Sequence, residues 1–327
     1  MPSTAFAERE KGGEADADEE IEKLPDPCRH APAGAGGAMK QHGEMAARIE
    51  ESILVDEMGI ETGRYGPYFL KTVYRPVFGG TPDGLAPVGV AAGTRPLRDG
   101  RPVALRVFLA QVAPRERTFV AGLLQMLRLR NYWNIAVDGL TLFLPHEELL
   151  CLDGPMAAGQ AEALAACVAE RDIDPASVVC AVGEGTDEAV AAVYAAALRR
   201  HGMRIAVEDF EGGPPALALV RAIDAEVVSL KGDWFRRIAG IAVAARLLAP
   251  LVGILQREGR AVRIEGINTP AQMRTAVEAG ADYLLGDLLH RPKLAGALFD
   301  TTSLDTSMLT AEGDKVVPLF TKCSRSV

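Results

Sequence analysis

From Tyr68 onward the sequence alternates between short β-branched runs and longer Ala-, Leu- and Arg-rich stretches with helical spacing. The predicted strands are Leu70–Phe78, Ala86–Ala91, Leu140–Leu144, Val178–Val182, Arg204–Asp209, Glu226–Leu230, Ala261–Ile267 and Tyr283–Leu285. The predicted helices are Gln160–Glu170, Asp187–His201, Trp234–Glu258 and Pro270–Ala279. Strand–helix repetition indicates a parallel sheet, and this number of strands suits a closed barrel better than an open sheet. We therefore predict a TIM-like α/β barrel, (β/α)8.

The first two predicted strands are joined by a segment that contains Gly79, Gly80, Pro82 and Gly84 and has no helical pattern. A short connection of this kind predicts a hairpin, so one barrel strand should run antiparallel to the others. In such a barrel the functional side chains lie at the carboxyl ends of the strands. The residues at those ends are therefore the candidates for a site.

Composition divides the 327 residues into a tail and one domain. Residues 1–45 are rich in Glu, Asp, Ala, Gly and Pro, and they contain too few large apolar groups to offset the entropy of ordering. We predict a disordered acidic tail over 1–45, a lead-in helix and linker over 46–66, the barrel over 67–300 and a C-terminal tail over 301–327. The first twenty residues contain no apolar run of the signal-peptide kind.

Charge and cysteine usage limit the partners. The formal net charge of -9 gives no basic nucleic-acid footprint and disfavours DNA and anionic lipid. Five scattered cysteines without C-x-x-C spacing argue against a disulfide framework, which favours buried thiols and a cytoplasmic location. The apolar stretch Ile238 to Leu255 contains Arg246 and Pro250 and is predicted to be a buried barrel helix rather than a membrane span.

Carboxylates stand at two of the predicted strand ends. Glu208 and Asp209 close a β-branched run just before a Gly-rich loop, and Glu265 ends another strand. Adjacent carboxylates at a barrel rim suit hard divalent cations. On this segment alone, an acid that caps the following helix is an equal alternative. Arg95 lies just past a further strand.

Six segments together resemble the EAL-type cyclic-di-GMP phosphodiesterases, a bacterial signalling family. They are PVGVAAGTRPLRDG, LRNYWNIAVDGLTLF, SVVCAVGE, HGMRIAVEDFEGG, VVSLKGDWF and IEGINTPAQMRTAVEAGADYLLGDLLHRP, in the family's order and spacing from Tyr65 to Phe299. The resemblance implies a TIM-like barrel with one antiparallel strand and a pocket for cyclic di-GMP. It also implies hydrolysis by two metal ions, Mg or Mn, that are held by carboxylates.

Most of the family's motif positions are replaced in this sequence. By the resemblance, the family's metal-binding and catalytic residues fall on Ala91, Pro145, Ala181, Ser229, Asn268 and Leu285. Arg95, Glu184, Glu208, Asp209 and Glu265 keep the family's residue types. We therefore predict no catalytic residues, no metal and no cofactor.

The family's lysine motif can be aligned in two ways. If Trp234 and Phe235 anchor it, the essential lysine falls on Ser229; if Lys231 is that lysine, the aromatic pair shifts by two residues. Residues two apart on a strand share a face but lie ~6.6 Å apart. Lys231 can therefore enter the pocket without restoring the family's geometry.

Three functions stay open. The first is a regulatory interaction module that does not hydrolyse the dinucleotide and acts on a protein partner or as a homodimer. The second is a non-hydrolysing cyclic-di-GMP receptor with Arg95, Glu208, Asp209, Lys231 and Glu265 as ligand-binding residues. In it, Arg95 would give bidentate contacts to a phosphate. The third is a residual phosphodiesterase.

Overall fold

The structure is a computed structural model that describes residues 35–81, 84–135, 137–146 and 154–305. In these ranges the strands are β1 (Ile53–Val55), β2 (Glu61–Tyr65), β3 (Tyr68–Thr81), β4 (Gly84–Arg98), β5 (Arg101–Pro102), β6 (Thr141–Leu144), β7 (Val178–Gly183), β8 (Arg204–Phe210), β9 (Val227–Leu230), β10 (Ala261–Ile264), β11 (Tyr283–Leu284) and β12 (Lys293–Leu294). The helices are α1 (Ala35–Glu51), α2 (Leu105–Leu109), α3 (Arg117–Arg130), α4 (Gly154–Glu170), α5 (Glu188–Arg200), α6 (Pro214–Ala222), α7 (Gly232–Ala239), α8 (Ala242–Ala245), α9 (Leu248–Arg257) and α10 (Pro270–Glu278). Short 3-10 helices span Pro114–Glu116, Asn131–Ile135 and Pro175–Ser177.

Eight strands close into a barrel in the order β3, β11, β10, β9, β8, β7, β6 and β4, with β4 paired back to β3. The strands from β4 through β6 to β11 are parallel to their neighbours, whereas β3 is antiparallel to both β4 and β11. The predicted barrel with one antiparallel strand is confirmed.

The predicted hairpin is β3–β4, and it is longer than predicted. The two strands pair from Tyr68 with Arg98 to Thr81 with Gly84. The pairing of β4 with β6 ends at Ala91, opposite Phe143. Beyond that point β4 continues to Arg98 beside β3, so the hairpin extends past the barrel's own ladder.

Alternation along the strands separates two apolar layers. Phe143, Val179, Ala181 and Ala206 form a small buried cluster with residues of β3 and β9. Their immediate neighbours Leu142, Leu144, Cys180, Val182, Ile205 and Val207 belong to the larger core that the helices cover. Since successive side chains of a strand point to opposite faces, the small cluster fills the barrel interior and the larger one lies outside it.

Helices α4, α5 and α10 agree with the predicted pattern. Helix α3, which is buried along most of its length, and the shorter helices α2 and α6 were not predicted. The single helix predicted over Trp234–Glu258 is wrong, because three short helices separated at Gly240 and Arg246 occupy this stretch. Pro250 lies in the first turn of α9, where its missing N–H breaks no helical hydrogen bond. The predicted burial of Ile238–Leu255 is also only partial, since Ile241, Val243 and Leu247 are exposed.

Helix α1 begins at Ala35, so the last part of the predicted disordered tail is helical. Its C-terminal half packs on α3, where Ile49 is buried, the Arg48 guanidinium lies 3.8 Å from the Phe119 ring centre and Glu50 pairs with Arg130. The rest of the predicted N-terminal tail, and all of the C-terminal tail after Asp305, lie outside the described residues.

No single helix in the described part of the chain is long and apolar enough to cross a membrane. By length and composition alone, one bent pair passes that test, Gly232–Ala239 with Ala242–Arg257, with an angle of 115° between them.

Candidate functional site

A cavity of about 140 Å³ opens at the carboxyl ends of the barrel strands. Its lining comes from six strands or the residues that follow them: Ala91, Ala92, Phe143, Pro145, Glu208, Asp209, Ser229, Lys231, Arg263, Glu265 and Leu285. Four of the five predicted ligand-binding residues lie here, namely Glu208, Asp209, Lys231 and Glu265. This is the edge at which a parallel barrel places its functional groups.

One side of the barrel mouth, formed by β4, β6 and β7, is apolar. We call Ala91, Phe143, Pro145 and Ala181 the apolar wall. Ala91 faces Phe143 across the β4–β6 ladder, and Ala181 packs with Phe143 in the barrel interior, where it is 7% exposed. None of these side chains has an oxygen or nitrogen that could bind an ion or a phosphate.

The opposite side, formed by β8, β9 and β10, carries a connected set of polar groups. We call Glu208, Ser229, Arg263 and Glu265 the polar wall. The Arg263 Nη2 donates to Glu208 Oε1 at 2.5 Å and to Glu265 Oε1 at 2.6 Å, and its Nε donates to Ser229 Oγ at 3.0 Å. Ser229 Oγ in turn donates to Glu265 Oε1 at 2.8 Å. One guanidinium therefore joins three strands.

Charge on the polar wall is balanced inside the protein. Burial raises the pKa of Glu208, while Arg263 and the His146 backbone N–H, 2.9 Å from Glu208 Oε2, oppose that rise. Burial lowers the pKa of Arg263, but Glu265 and Glu208 outweigh it and hold this pKa above its usual value. The Arg263 guanidinium also lies 4.9 Å from the Phe143 ring centre. A cation buried to 2% exposure is thus held by two carboxylates, a hydroxyl and an aromatic face.

Two charged residues stand at the rim of the polar wall. Asp209 adopts a left-handed backbone, φ 59°, within an irregular part of the β8–β9 ladder between Val207 and Phe210. This irregularity turns Asp209 outward, so it is exposed. Lys231 follows β9, and its Nζ lies 3.0 Å from Glu211 Oε1, which raises the pKa of the lysine. The backbone N–H of Glu211 in turn donates a hydrogen bond to Glu184 Oε2 at 3.2 Å.

Arg95 does not line this cavity, unlike the other four predicted ligand-binding residues, and its role in binding stays a prediction. It was expected just past a strand, but β4 continues to Arg98 and Arg95 pairs with Lys71 in the extended hairpin. At ~3.3 Å per residue, four residues carry Arg95 ~13 Å beyond Ala91 along the strand. The position Asn268 also lies off the cavity, where its Oδ1 accepts from the Asp287 N–H at 3.2 Å.

Sequence reasoning missed the residue at the centre of this site. Arg263 stands in the run AVRI, two residues before Glu265, and a charged residue inside an apolar strand is the signal that could have found it. A second charged residue lies in a buried helix rather than in a strand. Arg128 in α3 is 2% exposed and donates from Nε to Thr94 Oγ1 at 3.1 Å. Burial lowers the pKa of Arg128 to about 10, and Glu208 opposes this.

The residues at this mouth do not fit a pair of divalent cations. Both oxygens of Glu208 and one of Glu265 already accept hydrogen bonds from the protein, and the positive guanidinium lies against them. Across 35–81, 84–135, 137–146 and 154–305, no three or more His, Cys, Asp and Glu side chains are grouped as a metal site. A two-ion site needs more oxygen ligands than Glu208, Asp209 and Glu265 have left.

Comparison with protein families gives one match, in which residues 154–292 match the EAL domain. A curated relative, the bifunctional diguanylate cyclase/cyclic di-GMP phosphodiesterase MucR of Pseudomonas aeruginosa, is 24% identical over 169 residues. That alignment covers 51% of this chain and 23% of the relative, so this chain spans about a quarter of the relative's length.

Solved structures show the same barrel. The MucR phosphodiesterase in complex with c-di-GMP superposes with a TM-score of 0.57 at 18% identity and covers 68% of this chain and 91% of that chain. The Bacillus subtilis YkuI protein, solved with c-di-GMP and calcium, gives 0.59 at 17% identity over 82% of this chain and 62% of that chain. The FimX EAL domain of Pseudomonas aeruginosa, bound to c-di-GMP, gives a TM-score of 0.56 at 16% identity and covers 83% of this chain and 99% of that chain.

Proposed function

We propose that the chain carries an EAL domain, of which residues 154–292 are the matched part, and that this domain works in cyclic-di-GMP signalling as a regulatory interaction module without hydrolysis. The observation that carries the proposal is the apolar wall. Two-metal hydrolysis needs oxygen or nitrogen ligands that converge from several strands, and this side of the mouth presents Ala91 of β4, Pro145 after β6 and Ala181 of β7 instead.

The remaining carboxylates support the same proposal. Glu208 and Glu265 are held by Arg263, so they do not face an open cavity as an unpaired acid pair would. A carboxylate that already accepts a charge-assisted hydrogen bond must give up that bond before it can bind an ion or a water. The rim acid Asp209 alone cannot hold and activate a nucleophilic water.

An exposed apolar surface supports an interaction role. Ile241, Val243 and Leu247 lie around α8 and the start of α9, with exposures of 57%, 75% and 67%. Large apolar side chains grouped at a surface are typical of protein contacts. A protein partner, or a second copy of the chain, is therefore the binding partner that the proposal names.

A cyclic-di-GMP receptor is the second candidate, because solved relatives with this fold hold c-di-GMP and the chain keeps a cavity at the corresponding end. Charge makes it the weaker candidate. The cavity lining contains three carboxylates and two cations, Lys231 is engaged by Glu211, and Arg95 lies outside. A dianionic ligand would therefore meet a lining with an excess of negative charge.

The test combines turnover and binding. Purified protein is incubated with cyclic di-GMP and magnesium or manganese, and the linear product is measured by chromatography; we expect no turnover above background. Titration calorimetry in chelator then measures binding. Turnover that disappears in Asp209→Ala or Glu265→Ala would overturn the proposal.

The receptor is tested in the same titrations. Binding in chelator that Lys231→Ala weakens, while Arg95→Ala leaves it unchanged, would favour a receptor that uses the cavity. A charge-assisted contact contributes ~1.5–3 kcal/mol, so Lys231→Ala should weaken such binding by roughly 10–100-fold. If no binding is seen up to millimolar cyclic di-GMP, the receptor is excluded and the interaction module is the function that stands.

A further inference from the structure

We infer that the Arg263 guanidinium is a built-in cation that replaces a divalent ion between Glu208 and Glu265. The inference goes beyond the proposed absence of hydrolysis, because it concerns what neutralises the carboxylates. It starts from the finding that the residues at the mouth do not fit a pair of ions. One group of the chain itself occupies the place between the two acids.

The geometry supports an exchange of one cation for another. Arg263 Nη2 contacts an oxygen of Glu208 and an oxygen of Glu265 at 2.5 and 2.6 Å, so a single positive centre bridges two strands. An ion that bound the same two oxygens would have to lie next to the guanidinium, and like charges at such distances repel strongly in a buried site. The arginine and an ion therefore exclude each other.

The arginine is fixed in this position by its own partners. Its Nε donates to Ser229 Oγ, and its guanidinium lies near the Phe143 ring. Ser229 also donates to Glu265, so the hydroxyl orients both the cation and one of its acids. With 2% exposure, Arg263 is buried among these partners. The chain itself therefore supplies the charge that neutralises the two carboxylates.

Two consequences can be measured without any nucleotide. The wild-type protein should be indifferent to divalent ions, because its acids are already neutralised. Removal of the guanidinium should leave Glu208 and Glu265 without their cation on either side of the vacated space, and carboxylate oxygens are ligands suited to Mn²⁺. Arg263→Ala should therefore gain an ion site that the wild type lacks.

The experiment is a titration of manganese(II) chloride into wild type, Arg263→Ala and the double variant Arg263→Ala/Glu265→Gln, with thermal unfolding in chelator and in manganese. We expect wild type to show the same Tm in both and Mn²⁺ uptake at least roughly tenfold weaker than Arg263→Ala. Arg263→Ala should unfold at lower temperature in chelator and be partly restored by manganese. The double variant should lose most of that restoration.

Two results would overturn the inference. They are uptake of Mn²⁺ by wild type as tight as by Arg263→Ala, and absence of uptake by a folded Arg263→Ala. If Arg263→Ala does not fold, Arg263→Gln, whose side chain is shorter and polar but carries no charge, takes its place under the same criteria. Since no nucleotide is present, failure here leaves the proposed lack of hydrolysis standing, and turnover of cyclic di-GMP by wild type would contradict that proposal alone.

Discussion

The two walls of the barrel mouth differ in the groups that they present. On the apolar wall, side chains without donor atoms stand at the strand ends, and Phe143 and Ala181 join the barrel core. On the polar wall, Glu208 and Glu265 remain but are engaged by Arg263 and Ser229. One wall has no groups that could bind a ligand, and the other has such groups but uses them internally.

The comparison teaches that a residue type read from the sequence does not reveal which partners its side chain has. Glu208 and Glu265 look intact in the sequence, yet the structure gives each a structural partner. Ala91 and Ala181 look like simple losses, yet Ala181 contributes to packing in the barrel interior. If this division is right, changes to the polar wall should expose unpaired charge, whereas changes to the apolar wall should disturb packing.

The largest effect is expected for Arg263→Met. This change leaves Glu208, with a side chain only 15% exposed, without its cation. Breaking a buried ion pair from one side costs about 3–5 kcal/mol, so the free energy of unfolding in urea should fall by that amount. Arg263→Met/Glu208→Leu should recover a large part of the loss, because no buried charge remains. Additive losses in the double-mutant cycle would mean that the two residues are not coupled and that the polar wall is not one unit.

The second prediction contrasts two alanines on the apolar wall. Ala181→Glu places a carboxylate in the barrel interior, where the nearby Arg263 is already engaged, and should cost about 2–4 kcal/mol. Ala91→Glu lies at a partly exposed position and should cost less than about 1 kcal/mol. Equal costs by urea unfolding would show that the interior of this wall is open to water.

The positions and order of the barrel strands were largely predictable, because β-branched runs in the sequence mark where each strand lies. The runs that became β6, β7, β8 and β9 were placed within about one residue of their ends, since β-branched stretches bounded by polar residues leave little freedom. Helix α3 and the short strand β2, with the sequence ETGRY, were missed. A strand this short, with a glycine and two charged residues, gives no alternation to read.

Only those site residues that end or follow a correctly predicted strand could be placed from the sequence. Glu208, Asp209, Lys231 and Glu265 meet at one mouth because each ends or follows a parallel strand. Arg95 was misplaced because its strand continues past the barrel, which depends on hairpin pairing across long distances. Arg263 was missed because a partner inside the barrel cannot be identified from spacing alone.

The third prediction concerns Gly183 at the end of β7. A Cβ there would lie 2.5 Å from Cδ2 of His146, whose backbone N–H is held by Glu208. Gly183→Ala must therefore displace the ring and should cost about 1–2 kcal/mol by urea unfolding. Gly185→Ala is the matched control, since nothing lies within 4 Å of its added Cβ. Equal costs for the two variants would show that the His146 ring does not pack closely against Gly183.

The smallest effect at neutral pH is expected for Cys180, on the outer face of β7. Burial raises the pKa of this thiol to about 12, so it stays protonated in the folded protein while the unfolded chain ionises near the ordinary value of 9.0. The contribution is therefore fully present below pH 9 and is lost as pH rises from 9 toward 12. Cys180→Ala should flatten the fall of the unfolding free energy between pH 9 and 10.5 by about 1–2 kcal/mol.

A variant with Cys180 as its one cysteine should not react with a thiol reagent at pH 8 until urea unfolds it; rapid reaction in the folded state would show that the strands behind the apolar wall open to solvent.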